Sequence, residues 1–209
     1  MKYERYPTRD AHHNFVVPNR IHSYKLRPDA YVVYLYLCRS NPTRCEKLAE
    51  DLNLSPNKVE RSISELQSHR LVTVKDGRIF LREQPSKPQE KLKNCYLMPK
   101  EIFHLSLPMG AIAVYGFLMH CEDRETYQCY PSYQTIGDAI GMSRSTVKKY
   151  VECLINRQLI YTEPTRVWGH SGKKRNGTLR YTIRPIYEAI QHHANTQLEQ
   201  VSMFTNQPA

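Results

Sequence analysis

Ser143, Arg144, Ser145, Thr146, Lys148 and Lys149 place three hydroxyls and three cations within seven residues. Hydroxyls and lysine ammonium groups suit phosphate oxygens, and the guanidinium fork of Arg144 matches guanine O6 and N7 as a major groove presents them. Further on, the stretch Pro164–Gly177 carries Arg166, Lys173, Lys174 and Arg175 among glycines that let a backbone approach a groove or phosphate track closely. A weaker set, Ser55, Asn57, Lys58 and Arg61, is diluted by Glu60. Charge follows the same pattern. The 209 residues carry a net +10, and residues 143–184 alone hold ten Lys or Arg against two Glu. A segment of net +8 calls for a polyanionic partner, nucleic acid first.

The residues needed for catalysis do not assemble. The chain has fifteen tyrosines but no His-hydrophobe-His motif to accompany a nucleophilic Tyr. It also lacks a Gly-rich phosphate loop, paired acids and a Ser/Cys–His arrangement, so no enzymatic role is expected. Cysteines at 38, 45, 95, 121, 129 and 153 form no CxxC pair. His120, Cys121 and Cys129 read as packed or exposed side chains, so neither metal nor cofactor is expected. The longest strongly apolar run, Ala30–Cys38, falls well short of the roughly 20 residues a membrane helix needs. With no signal peptide at the N-terminus either, a cytoplasmic protein without membrane association is expected.

The elements that must hold these residues come from an internal repeat. Leu48-Ala49-Glu50-Asp51-Leu52-Asn53-Leu54-Ser55 recurs 88 positions later as Ile136-Gly137-Asp138-Ala139-Ile140-Gly141-Met142-Ser143. Val59, Ile63, Leu66, Leu71 and Val72 continue in step with Val147, Val151, Leu154, Leu159 and Ile160. An earlier layer is offset by 81, with Val17-Pro18-Asn19-Arg20-Ile21 against Met98-Pro99-Lys100-Glu101-Ile102. The change of offset implies seven extra residues within Cys121–Ser132 of copy two. Each copy reads as an apolar helix, a helix, a tight turn, a third helix and a strand pair. That is a winged helix-turn-helix, so the fold class is α+β, mainly α, with two such domains in tandem.

The expected organisation is an arm over 1–13, a first domain over 14–83 and a linker over 84–94. A second domain over 95–185 and a C-terminal helix and tail over 186–209 follow. Pro28 and Pro108 suit first helical turns. Thr43-Arg44-Cys45-Glu46 has the form of a capping box. Asn53 and Gly141 suit a left-handed helix end, and Ser55 and Ser143 suit the caps of the third helices. Leu71–Lys75, Asp76-Gly77 and Arg78–Arg82 form a hairpin with a two-residue turn. Tyr31, Tyr34 and Tyr36 are expected in the core or at an interface.

The stretch Tyr130-Pro131-Ser132 through Ile136-Gly137-Asp138-Ala139-Ile140-Gly141-Met142-Ser143-Arg144-Ser145-Thr146-Val147 to Leu159-Ile160 resembles the winged helix domains of bacterial regulators. It is more similar still to those of phage and plasmid replication proteins. The resemblance covers about thirty residues of copy two and is weaker in copy one. It implies a DNA-binding helix at 144–157 and a wing at 164–178. The function it implies is sequence-specific binding of double-stranded DNA by a replication initiator or replisome-loading protein of a plasmid, phage or integrated element. A transcriptional regulator uses the same binding chemistry. A winged-helix interaction scaffold is a third reading, which the charge of 143–184 disfavours. Winged helices also dimerise or dock proteins, which leaves copy one open between DNA contact and protein contacts, a homodimer among them. Gln200-Val201-Ser202-Met203-Phe204 resembles the pentapeptide by which bacterial proteins bind the replicative sliding clamp. The resemblance gives Gln200 a hydrogen-bonding role and makes Met203 and Phe204 the apolar anchors.

Overall fold

The computed structural model describes residues 13–83, 93–168 and 174–205, and side chains at 167, 168, 174–176 and 200–205 lie outside that description. Most of the predicted arm and linker, and Lys173 of the predicted wing, therefore lie outside the described residues.

Copy one runs β1 (Asn14–Pro18), a 3-10 turn over Asn19–Tyr24, α1 (Pro28–Arg39), β2 (Thr43–Arg44), α2 (Cys45–Asp51), α3 (Pro56–Ser68), β3 (Val72–Lys75) and β4 (Arg78–Leu81). Copy two runs β5 (Cys95–Pro99), a 3-10 turn over Lys100–His104, α4 (Met109–Cys121), β6 (Gln128–Cys129), α5 (Tyr133–Ile140), α6 (Arg144–Asn156), β7 (Ile160–Trp168) and β8 (Lys174–Ile183). The last helix, α7, spans Ile186–Thr205. Each copy closes a three-stranded antiparallel sheet with the same connectivity, β2-β4-β3 and β6-β8-β7. The extra residues of copy two form a turn in which Asp123 Oδ1 accepts the backbone N–H groups of Glu125 and Thr126, and this turn leads into β6. The fold is mixed α and β with two winged helix modules in tandem.

The copies are fused rather than strung together. β1 pairs antiparallel with β5, and Val16 lies opposite Leu97, its own counterpart 81 positions on. Pairing a residue with its own repeat is the mark of a two-fold relation between the halves. α1 and α4 explain why the halves join. Ala30–Leu37 and Gly110–Met119 are buried on every face, so each helix needs a partner beyond its own module, and they pack on each other. Gly116 allows the approach, since a Cβ there would stand 2.7 Å from the Tyr31 hydroxyl. That hydroxyl hydrogen-bonds the Tyr96 hydroxyl at 2.6 Å, satisfying two buried polar atoms across the junction. Beside them lies His22, its ring 4.3 Å from that of His120 and 5.2 Å from that of Tyr31, centroid to centroid. Neither His22 ring nitrogen has a hydrogen-bond partner among the described residues. Burial, reinforced by His120, pushes its pKa down to about 3.

Several local expectations change. The capping box at Thr43 does not form. Thr43 is buried in β2 opposite Ile79, and Arg44 precedes α2 without a side-chain cap. Pairing β2 to β4 satisfies that buried backbone, which leaves Thr43 in the sheet instead of at a helix end. Pro108 precedes α4 instead of occupying its first turn, whereas Pro28 is inside α1. The glycine-containing stretch 164–177 is strand at 164–168 and 174–177. Val167 lies opposite Arg175 and Trp168 opposite Lys174, beyond a register shift at Pro164/Arg166. Pro164 cannot donate to a ladder, and the irregularity accommodates it while Thr165, Val167 and Trp168 favour extended backbone. Within the predicted C-terminal helix and tail over 186–209, the helix runs to Thr205, because residues 186–205 contain no Gly or Pro.

Candidate nucleic-acid interface

α6 is held by its buried stripe Val147, Val151 and Leu154. Its start is shaped by two residues. Gly141 adopts φ +65° between α5 and α6, and the Ser143 hydroxyl accepts the Thr146 backbone N–H at 3.2 Å. Arg144, Ser145, Lys148 and Lys149 project from the opposite, exposed face, and Thr146 is half-buried. Ser143 Oγ also lies 3.0 Å from Ser145 Oγ and 2.7 Å from Thr146 Oγ1, so three hydroxyls sit together at the helix N-terminus. Donors at a helix start, where the dipole is positive, favour an anion. Lys148 pairs with Glu152 at 3.9 Å, but both side chains are well exposed, and such a pair holds little energy against competition from a phosphate.

α3 repeats this arrangement less completely. Val59, Ile63 and Leu66 face inward, while Ser55, Asn57, Lys58 and Arg61 are exposed. Ser55 precedes the helix, yet its hydroxyl caps nothing. The Lys58 backbone N–H, counterpart of the one that Ser143 caps, donates instead to the Ser55 carbonyl at 2.9 Å. Asn53 takes φ 49°, the conformation that Gly141 takes in copy two.

The tertiary structure brings the two helices together. One open groove of about 660 Å³ is lined by Lys58, Arg61 and Ser62 of α3 and by Ser143, Thr146 and Tyr150 of α6. Its lining includes pairs of repeat counterparts, Arg27–Asp29 and Pro108–Gly110, Lys58 and Thr146, Ser62 and Tyr150. The two-fold relation seen at Val16 and Leu97 therefore also passes through this groove. The wings differ in reach. Asp76 and Gly77, both at positive φ, turn the short β3–β4 hairpin, whereas β7 and β8 are 9 and 10 residues long. Arg166 on β7 is exposed, and Lys174 and Arg175 begin β8. Arg180 on β8 is already engaged by Glu163, its Nε donating at 2.8 Å.

Two groups at the groove have no signal in the sequence. Arg27 lines it, and Glu65 binds Arg27 from α3 across 38 positions. Only folding brings them into contact. Gln200, Met203 and Phe204 fall in the last two turns of α7, with side-chain surroundings outside the described residues. Among the described residues, no three His, Cys, Asp or Glu side chains converge as metal ligands. No helix among them is long and apolar enough to cross a membrane.

Residues 105–160, from the start of α4's approach through α6, match the family model of a helix-turn-helix domain. Residues 105–160, about a quarter of the chain, are thus similar to a helix-turn-helix domain. Among solved structures, the chain is similar to the Pi initiator protein determined in complex with iteron DNA. The identity is 12% and the TM-score 0.50, over 81% of this chain and 97% of that chain. At that identity the likeness is one of fold, and it extends beyond the helix-turn-helix half to both modules. The DIP2311 protein from Corynebacterium diphtheriae matches at 16% identity and TM-score 0.24, over 74% of this chain but 26% of that one. No curated protein sequence matches the chain.

Proposed function

We propose that the protein binds double-stranded DNA sequence-specifically through α6 and α3, and that it serves as a replication initiator or replisome-loading protein of a plasmid, phage or integrated element. The observation that carries this reading is that repeat counterparts on α3 and α6 line one groove, with Arg144, Lys148 and Lys149 exposed on α6 outside that lining. Two helices so related meet one duplex in opposite directions, as a dimer's do, and read two adjacent major-groove segments. Their contacts differ. α6 offers Arg144 for a base edge and Lys148 and Lys149 for phosphates, whereas α3 offers Asn57, Lys58 and Arg61. The net +8 over 143–184 makes copy two the main source of affinity and of salt dependence. The likeness of fold to an initiator solved on iteron DNA supports the replication role.

Genomic footprinting of the purified protein tests both levels. Protected sites arranged as direct repeats near one origin support an initiator. Single dispersed sites over promoters would move the role to a transcriptional regulator. Two variants then test the helix assignment. Arg144→Ala should cost about 1–3 kcal/mol on the cognate site and relax preference at one base pair. Lys149→Ala should weaken all duplexes alike and flatten the salt dependence. Unchanged binding in both would remove α6 from the interface.

A further inference from the structure

Arg27 stands immediately before α1, and Glu65 lies on α3. Glu65 Oε1 accepts the Arg27 backbone N–H at 2.7 Å, and Oε2 accepts Arg27 Nε–H at 2.6 Å. Arg27 Nη2 donates onward to the Arg61 carbonyl at 3.5 Å. The Glu65 side chain is 16% exposed and that of Arg27 50%, so a sheltered carboxylate holds a half-exposed guanidinium through two charge-assisted contacts. One carboxylate therefore neutralises Arg27, meets the positive end of α1 and ties that end to the C-terminal part of α3. Glu65 is one helical turn beyond Arg61, and fixing it sets how α3 turns Arg61 and Lys58 toward the groove. The counterparts in copy two are Pro108 and Cys153, so this arrangement belongs to copy one alone.

We infer that Glu65 is a specificity-determining positioning residue, which holds the Arg27 guanidinium against α3 and withholds that cation from DNA seated in the groove. A free guanidinium there would meet phosphates and add affinity for any sequence. Held by Glu65, it leaves copy one's binding to depend on Asn57, Lys58 and Arg61. The inference rests on the duplex-DNA reading above.

The test is salt-dependent binding by fluorescence anisotropy, with footprint-derived duplexes altered in one half-site or the other. Glu65→Gln should steepen log K against log salt by about 0.9, the value of one phosphate contact. It should also reduce discrimination at copy one's half-site several-fold while sparing the other. Arg27→Ala alone should leave the slope at its wild-type value, and the double variant should return to that value. An unchanged slope in Glu65→Gln overturns the inference. So does a flatter slope in Arg27→Ala, which would mean that Arg27 already touches phosphate. Equal loss of affinity for every duplex at constant slope would reduce Glu65 to a buttress and overturn it as well. If the wild-type protein binds no duplex, the DNA reading itself falls, a result distinct from all of these.

Discussion

His22 makes the junction between the modules sensitive to acid, and the size of the effect can be worked out. Its ring is packed among Tyr31, Tyr96, Phe117 and His120, and neither nitrogen has a partner among the described residues, which holds it neutral. Burial is the main cause and His120 the lesser one, and together they lower its pKa from 6.5 to about 3. The folded-state value lies below the unfolded one, so the unfolded chain takes up the proton first. The stability contributed is fully present above pH 6.5 and is lost as pH falls from there toward 3. Each unit in that window costs about 1.4 kcal/mol, so moving from pH 7 to pH 5 should cost about 2 kcal/mol through this residue. That is a large fraction of a typical stability of roughly 5–15 kcal/mol. Carboxylates and other histidines also titrate, so the assay is the difference between wild type and His22→Phe in urea unfolding, followed by circular dichroism at several pH values. Phenylalanine keeps an aromatic ring in the cluster without a titratable nitrogen. The wild-type curve should fall below that of the variant by a further 2 kcal/mol or so between pH 7 and 5. Parallel curves across that range would refute the claim that His22 is buried neutral at the junction.

Replacing Lys173, Lys174 and Arg175 together by Ala should lower DNA affinity and flatten its salt dependence while leaving the melting temperature within a few degrees, checked on one sample by gel shift and thermal unfolding. Retained binding with collapsed stability would make the β7–β8 hairpin structural. Gly141→Ala should cost about 1–2 kcal/mol in urea unfolding, because φ +65° disfavours a Cβ. Gly141→Asn should cost less, since Asn53 holds the equivalent place in copy one. A peptide of residues 196–209 should bind the host's sliding clamp in calorimetry, and Met203→Ala with Phe204→Ala should abolish that binding without changing DNA affinity. No binding by the wild-type peptide at high micromolar concentration would remove the tail's support for a replication role.

The repeat, both third helices and the Asp76-Gly77 hairpin were legible in the sequence because each is set by near neighbours. Val147, Val151 and Leu154 reveal an inward stripe through helical spacing alone. Asp-Gly reveals a turn through the backbone angles it tolerates. The exposed cations of α6 were legible for the same reason, since what is not on the stripe must face outward. Thr43 misled because a capping pattern and a buried two-residue strand have the same local chemistry, and only pairing with Ile79 of β4 separates them. The wing misled because Gly, Lys and Arg signal a loop locally, while the ladder from Ile160 to Trp168 depends on a partner strand. How the halves meet is set by long-range contacts alone. All-round burial of α1 and α4 demands a partner that no sequence window contains. Once they pack, Val16 lies against Leu97, α3 and α6 share one groove, and Arg27 reaches Glu65. Local periodicity determines which face each helix turns inward. The geometry between two such faces depends on contacts between residues far apart in the chain, and these exist only after both have folded.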